Sequence, residues 1–189
     1  MIFIISSPSG GGKGTIIAHL LQSFPTLEFS VSATSRKPRE GEQDGVNYYF
    51  VSPEEFKRKI ANDELIEYEE VYAGSYYGTP KSEIDRIQRK GHHVVFEVDV
   101  KGGIKLKKIF GEKALSIFIM PPSIEELRRR LIGRATEPLD VIEKRVAKAA
   151  LELSYAEQYD RVLVNDDLNL AKAQADEIIR QYIDRETIG

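Results

Sequence analysis

The sequence predicts an α/β fold: a parallel five-stranded sheet flanked by helices, carrying an inserted subdomain and a small lid. Short apolar runs alternate with helical patterns along the chain, the order that builds a parallel sheet. A glycine-rich stretch, SSPSGGGKGT at residues 6–15, stands between the first apolar run and the first helix. The interval between the second and third runs, residues 35–90, is too long for a loop and too short for an independent domain.

The first strand is the apolar run Ile2–Ser6, and four more runs follow at 29–33, 94–98, 115–120 and Arg161–Val164. The first helix, 15–24, sets Ile16, Ile17, Leu20, Leu21 and Phe24 on one stripe. Within the insertion, short strands are expected at 48–51 and 65–72, with two short helices. Ser52-x-x-Glu55 is a capping box with Pro53 at the first helical position. A second box, Ser123-x-x-Glu126, follows Pro121-Pro122, and the last long helix runs over about 168–185. The expected division is a core of 1–34, 91–127 and 146–189, an insertion of 35–90 and a lid of 128–145. Gly133 and Pro138 interrupt the lid.

Composition narrows the function. The 189 residues are 41% hydrophobic and 30% charged, as in an ordinary globular protein. A net charge of −3 leaves no global footprint for nucleic acid or an anionic membrane, so any anion binding is local. There is no cysteine, which excludes disulfides and thiolate metal sites. No apolar run reaches the roughly 20 residues needed to span a bilayer, and Met1 leads straight into a strand. A cytoplasmic protein is expected.

The glycine loop is the clearest chemical signal. Gly10, Gly11 and Gly12 let backbone approach a ligand closely, and the helix that follows points unpaired N–H groups and its positive dipole end at one spot. That is an anion site, to which Lys13 adds a mobile charge and Thr15 a hydroxyl. Against the phosphate-loop pattern G-x-x-x-x-G-K-[ST], Ser7 stands at the first glycine and Gly14 at the hydroxyl residue.

Other segments carry weaker signals. TSRKPREG (34–41) sets Arg36 and Arg39 around Pro38, and guanidinium forks bind phosphate bidentately. A solvated basic loop is the plain alternative, but Tyr48 and Tyr77 in the same insertion add phenolic donors, so the set reads as an anion site. Arg130 and Arg134 lie four apart on one helical face, with Arg145 on the next helix. They read either as a cationic flap or as two solvated faces. VVFEVDVKGG (94–103) ends a strand in Glu97 and Asp99, where α/β sheets bind ligands; a carboxylate there can hold Mg²⁺ through water, or Asp99 can simply cap the next helix. The pattern of 65–80 does not by itself single out Glu67 from the glutamates around it. The histidines show no metal-ligand spacing.

Together these pieces resemble guanylate kinase, a nucleoside monophosphate kinase of the P-loop NTPase class. The resemblance runs from SPSGGGKGT through FSVSATSRKPREGEQDGVNYYFVS, LIEYEEVYAGSYYGT, FEVDVKG and IFIMPPSIEELRRRLIGR to VLVNDD. It implies transfer of the γ-phosphoryl group of ATP to GMP in purine nucleotide metabolism, with Mg²⁺ bound alongside ATP. Ser7, Pro8, Ser9, Gly10, Gly11, Gly12, Lys13, Gly14 and Thr15 would wrap the ATP phosphates, and Asn165 and Asp166 would contact adenine. Arg36, Arg39, Tyr48 and Tyr77 would grip the GMP phosphate, and Ser32, Glu67 and Thr79 would read guanine. Glu97 and Asp99 would lie near the nucleotides, with Thr15 and Asp99 as candidates for the metal shell. Lys13, Arg39, Arg130, Arg134 and Arg145 would carry the charge of transfer.

Rival readings make different demands. A kinase for AMP has no use for Glu67, because adenine presents an acceptor at N1 and no 2-amino group. A non-catalytic interaction module has no use for Lys13 and the full arginine set. A GTPase switch would carry N-K-x-D, which is absent.

Overall fold

In the computed structural model, which describes residues 1–72, 74–134 and 139–188, the elements follow the expected alternation. They are β1 (Ile2–Ser6), α1 (Lys13–Ser23), β2 (Leu27–Phe29), β3 (Ala33–Thr34), β4 (Tyr49–Phe50), α2 (Pro53–Ala61), β5 (Leu65–Tyr72) and β6 (Ser75–Pro80). Then come α3 (Lys81–Gln88), β7 (His93–Glu97), α4 (Val100–Phe110), β8 (Ala114–Met120), α5 (Ile124–Arg134), α6 (Leu139–Leu153), β9 (Arg161–Val164) and α7 (Leu168–Ile188). The chain divides into two compact units, Met1–Leu27 with Val95–Gly189, and Glu28–Val94.

The five-stranded sheet has the order β2-β7-β1-β8-β9. β1 lies at its centre and all its residues are buried, which is why Ile2–Ser6 reads as an unbroken apolar run rather than an alternating one. It pairs with β8 in parallel, from Ile2 opposite Ala114 to Ser6 opposite Phe118, and β8 pairs in parallel with β9. The principal core joins Phe3 and Ile5 to Ile16, Ile17 and Leu20 of α1 and to Ala171, Ala175 and Ile179 of α7. A second cluster holds Val100, Phe118, Ala156 and Tyr159. There Gly103 of α4 is needed for close approach, since a Cβ would collide with the Tyr159 hydroxyl. Leu127, Leu131, Ile142 and Ala149 join α5 to α6.

The smaller unit carries a four-stranded sheet of order β4-β3-β6-β5. β3 runs parallel to β4 and antiparallel to β6, and β5 is antiparallel to β6. Ala33, Phe56 and Leu65 form its core, with the Tyr76 ring stacked on Phe56 at 5.4 Å. Ser52 caps α2 as expected, accepting the Glu55 N–H at 3.1 Å, and Ser123 accepts that of Glu126 at 3.0 Å.

Two local expectations differ from the structure. The strand expected at 29–33 is two strands in two sheets, β2 and β3. Between them Val31 donates its N–H to the buried Glu83 carboxylate at 2.9 Å, so that group is not available to a ladder. Gly133 does not interrupt α5 but lies inside it. A helix tolerates an interior glycine at about 1 kcal/mol relative to alanine. Pro138 lies outside the described residues. Among the described residues, no helix is long and apolar enough to cross a membrane.

Candidate active site

In the larger unit, the buried end of β1 releases the chain into the loop before α1. Gly12 is the residue just before the helix and takes φ 89°, in the left-handed region that excludes most side chains. A Cβ there would also run into the Asn165 side-chain amide. At Gly11 a Cβ would lie 2.9 Å from that of Ser7, so glycine at 11 leaves the room that Ser7 takes. Ser7 is buried and its hydroxyl donates to the Pro8 carbonyl at 3.1 Å, which explains how serine is accommodated at a customary glycine position. Residues 7–15 line a cavity of about 390 Å³. Gly14 faces open space, and Thr15 is exposed in the first turn of α1.

Lys13 reaches across this loop. Its ammonium donates to the Val98 carbonyl at 3.2 Å and stands 3.6 Å from Glu97 Oε1. Asp99 is the N-cap of α4, its Oδ1 accepting the Gly102 N–H at 2.6 Å, and the strand ends before it at Glu97. Asn165 is buried and donates from Nδ2 to the Gly11 carbonyl at 3.0 Å. Its own carbonyl accepts Arg130 Nη2 at 2.9 Å, while Arg130 Nε donates to Glu126 at 2.8 Å. Hydrogen bonds from Arg129 and Arg130 bring the pKa of the Glu126 carboxyl down to about 2. Arg145 and Asp166 are exposed. Arg134 ends α5, and its side chain lies outside the described residues.

In the smaller unit, Arg36 follows β3 and gathers a polar cluster. Its Nη1 and Nη2 donate to the two oxygens of Glu42 at 2.6 and 2.7 Å, and its Nε donates to the Tyr77 hydroxyl at 3.0 Å. The guanidinium lies 5.0 Å from the centre of the Tyr48 ring, which meets Tyr77 edge-on. Glu42 also accepts the Arg39 backbone N–H at 2.7 Å. Arg39 itself is exposed. On the strand pair β5–β6, the fully buried Thr79 donates its hydroxyl to Glu67 Oε1 at 2.8 Å. Ser32 is half-buried, and its carbonyl accepts the Tyr49 N–H at 2.9 Å.

A family model for guanylate kinase matches residues 1–182. The chain belongs to the guanylate kinase family. It is 53% identical over 186 residues to the guanylate kinase of Bacteroides fragilis, covering 98% of this chain and 91% of that protein. The guanylate kinase of Bacteroides thetaiotaomicron is 54% identical over 185 residues, with the same coverage. A crystal structure of guanylate kinase from Anaplasma phagocytophilum is 37% identical, superposes with a TM-score of 0.77, and covers 96% of this chain and 85% of its own.

For a guanylate kinase, the smaller unit holds carboxylates that motif reading did not single out. Glu42 sits in a turn-rich stretch with no period to mark it. Glu83 on α3 is 2% exposed and binds the Val31 N–H, the Tyr49 hydroxyl and Arg86. Burial opposes its charge, but these hydrogen bonds outweigh it and lower its pKa. Glu28 gathers Arg86, Lys90 and His92. The available signal was composition, acidic residues in a basic, tyrosine-rich insertion, and it does not say which of them pair.

Proposed function

We infer that this protein transfers the γ-phosphoryl group of ATP to GMP, giving ADP and GDP. The observation that carries the reading lies around one small sheet: an arginine–tyrosine cluster suited to a monophosphate, and a Glu67–Thr79 pair suited to guanine. A carboxylate accepts from guanine N1–H and the 2-amino group together, whereas adenine offers neither donor there. In this reading Arg36, Arg39, Tyr48 and Tyr77 bind the GMP phosphate, and Ser32, Glu67 and Thr79 read the base. The loop Ser7–Thr15 wraps the ATP phosphates, and Asp166 lies toward adenine.

In the transfer, a phosphate oxygen of GMP forms the new bond to Pγ while the bond to the bridging oxygen of ADP breaks. Charge spreads over the oxygens of the moving group, so catalysis is mainly positioning and electrostatic stabilisation. Lys13 supplies that charge from the loop. Arg130, Arg134 and Arg145, on the proposed lid 128–145, supply it from the helices and exclude water. Residues 35–90 are the proposed GMP-binding insertion, and residues 1–34, 91–127 and 146–189 the proposed core.

Magnesium fits this reading as a companion of ATP. Among the described residues no cluster of three or more His, Cys, Asp or Glu could hold a metal, as suits an ion bound chiefly through phosphate oxygens and water. Thr15 and Asp99 are the protein groups that would hold it, mostly through water. The ion would neutralise charge on the β- and γ-phosphates. The absence of a membrane-spanning helix among the described residues and the lack of cysteine suit a cytoplasmic enzyme.

The test is to incubate the protein with ATP, Mg²⁺ and each nucleoside monophosphate in turn, and to measure ADP. ADP should form with GMP and little with AMP. Equal turnover of AMP would overturn the guanine reading.

A further inference from the structure

Asn165 stands where the resemblance suggests an adenine contact, yet the residue is only 5% exposed and its amide is turned into the phosphate loop. The group it meets, the Gly11 carbonyl, can only accept, so the amide NH₂ must be the end that faces it. The contact is close enough that a Cβ on Gly12 would collide with that nitrogen.

The peptide joining Gly11 to Gly12 is planar and trans, so its C=O and N–H point in opposite directions. Holding the Gly11 carbonyl toward Asn165 therefore aims the Gly12 N–H away from it. Glycine on both sides makes this peptide unit easy to rotate, and no side chain caps the helix at Gly12. The Gly11 N–H donates to the Pro8 carbonyl and the Gly12 carbonyl accepts the Ile16 N–H. Between these two, the Asn165 amide is the side-chain contact on the Gly11 carbonyl that helps orient a donor at the helix N-terminus. Asn165 is itself held at the sheet, its N–H donating to the Met120 carbonyl at 2.7 Å. Its carbonyl accepts Arg130 Nη2 at 2.9 Å, so the same residue touches the loop, the end of β8 and an arginine of α5.

We propose that Asn165 is a positioning residue for phosphate binding: its amide sets the Gly11–Gly12 peptide, and its backbone carbonyl sets Arg130. Its contribution is then to the triphosphate and not to the base. The proposal rests on the reading that residues 7–15 bind the phosphates of ATP.

Titration calorimetry with ATP and with inorganic tripolyphosphate, which has no base, separates the two roles. Asn165→Ala removes the amide, and Asn165→Asp keeps its shape while setting an acceptor against an acceptor. Both ligands should bind about tenfold or more weakly to either variant, and by the same factor. Circular dichroism at the titration temperature identifies the folded variant to be read. Weaker ATP binding with unchanged tripolyphosphate binding would make Asn165 a base contact and overturn the proposal. A lower melting temperature with both affinities unchanged would leave it a purely structural residue and overturn the proposal as well. Lys13→Ala tests the underlying reading separately: if it leaves tripolyphosphate binding unchanged, the loop is not the phosphate site and both claims fall.

Discussion

The guanidinium of Arg36 and the carboxylate of Glu42 meet as a bidentate pair, with N–O distances of 2.6 and 2.7 Å. Such a pair fixes the plane of the guanidinium as well as its place. Because Glu42 also takes the Arg39 N–H, one carboxylate sets the stretch that carries both arginines. The hydrogen bond from Arg36, followed by that from the Arg39 backbone, brings the pKa of its carboxyl down to about 2. It is ionised wherever the enzyme works.

If Glu42 holds Arg36 ready for the GMP phosphate, Glu42→Gln should raise KM for GMP about tenfold and change kcat little, since a charge-assisted pair is lost before chemistry begins. Steady-state kinetics at saturating ATP check this. A fall in KM would mean instead that the carboxylate competes with the phosphate for Arg36.

Lys13 has a different signature. Its contacts to Val98 and Glu97 are made by the end of a flexible side chain, and the core does not depend on them. Lys13→Ala should leave the melting temperature nearly unchanged and lower turnover by about 100-fold or more, through loss of charge facing the transferred group. Thermal melts and turnover measured on the same preparation decide it. Near-normal turnover would remove Lys13 from the mechanism.

Acid stability should depend on Glu28. Burial opposes its ionisation, but hydrogen bonds from Lys90, His92 and Arg86 prevail and bring its pKa from 4.5 to about 2. A carboxyl whose folded pKa is depressed contributes stability above its unfolded pKa and loses it as pH falls through the folded one. Stability in urea should therefore fall between about pH 4.5 and pH 2, and Glu28→Gln should flatten that part of the profile. An unchanged slope in the variant would assign the acid transition to other carboxylates.

What the sequence made legible follows local rules. Ile2–Ser6 announced a strand because residues covered on both faces need no alternation, although its central place in the sheet appears only in the structure. Ser52 and Ser123 announced helix starts because capping is chemistry within four residues. The break at residues 30–32 was not legible, because it depends on Glu83, far along the chain, taking the Val31 N–H. Partnerships across the fold escaped for the same reason. Asn165 and Gly11 lie 154 residues apart, and nothing local in VLVNDD says that its amide faces the loop. The resemblance set Glu67 and Thr79 together as guanine readers, but their hydrogen bond depends on the pairing of β5 with β6, which shifts register between Leu65 and Tyr68.

The central claim, that Glu67 reads guanine, meets its most direct test in one substitution. Thr79 donates to one oxygen of Glu67, so in Glu67→Gln the amide carbonyl keeps that bond and the NH₂ takes the other position. That donor opposes the N–H groups of guanine and complements N1 of adenine. A hydrogen bond to a charged group is worth about 1.5–3 kcal/mol, so kcat/KM for GMP should fall roughly ten- to a hundredfold. The measurement is kcat/KM for GMP and for AMP, in both proteins, at saturating ATP. The GMP-to-AMP ratio should narrow by more than the loss on GMP alone. A ratio unchanged by Glu67→Gln would contradict the assignment and leave Glu67 an ordinary strand glutamate.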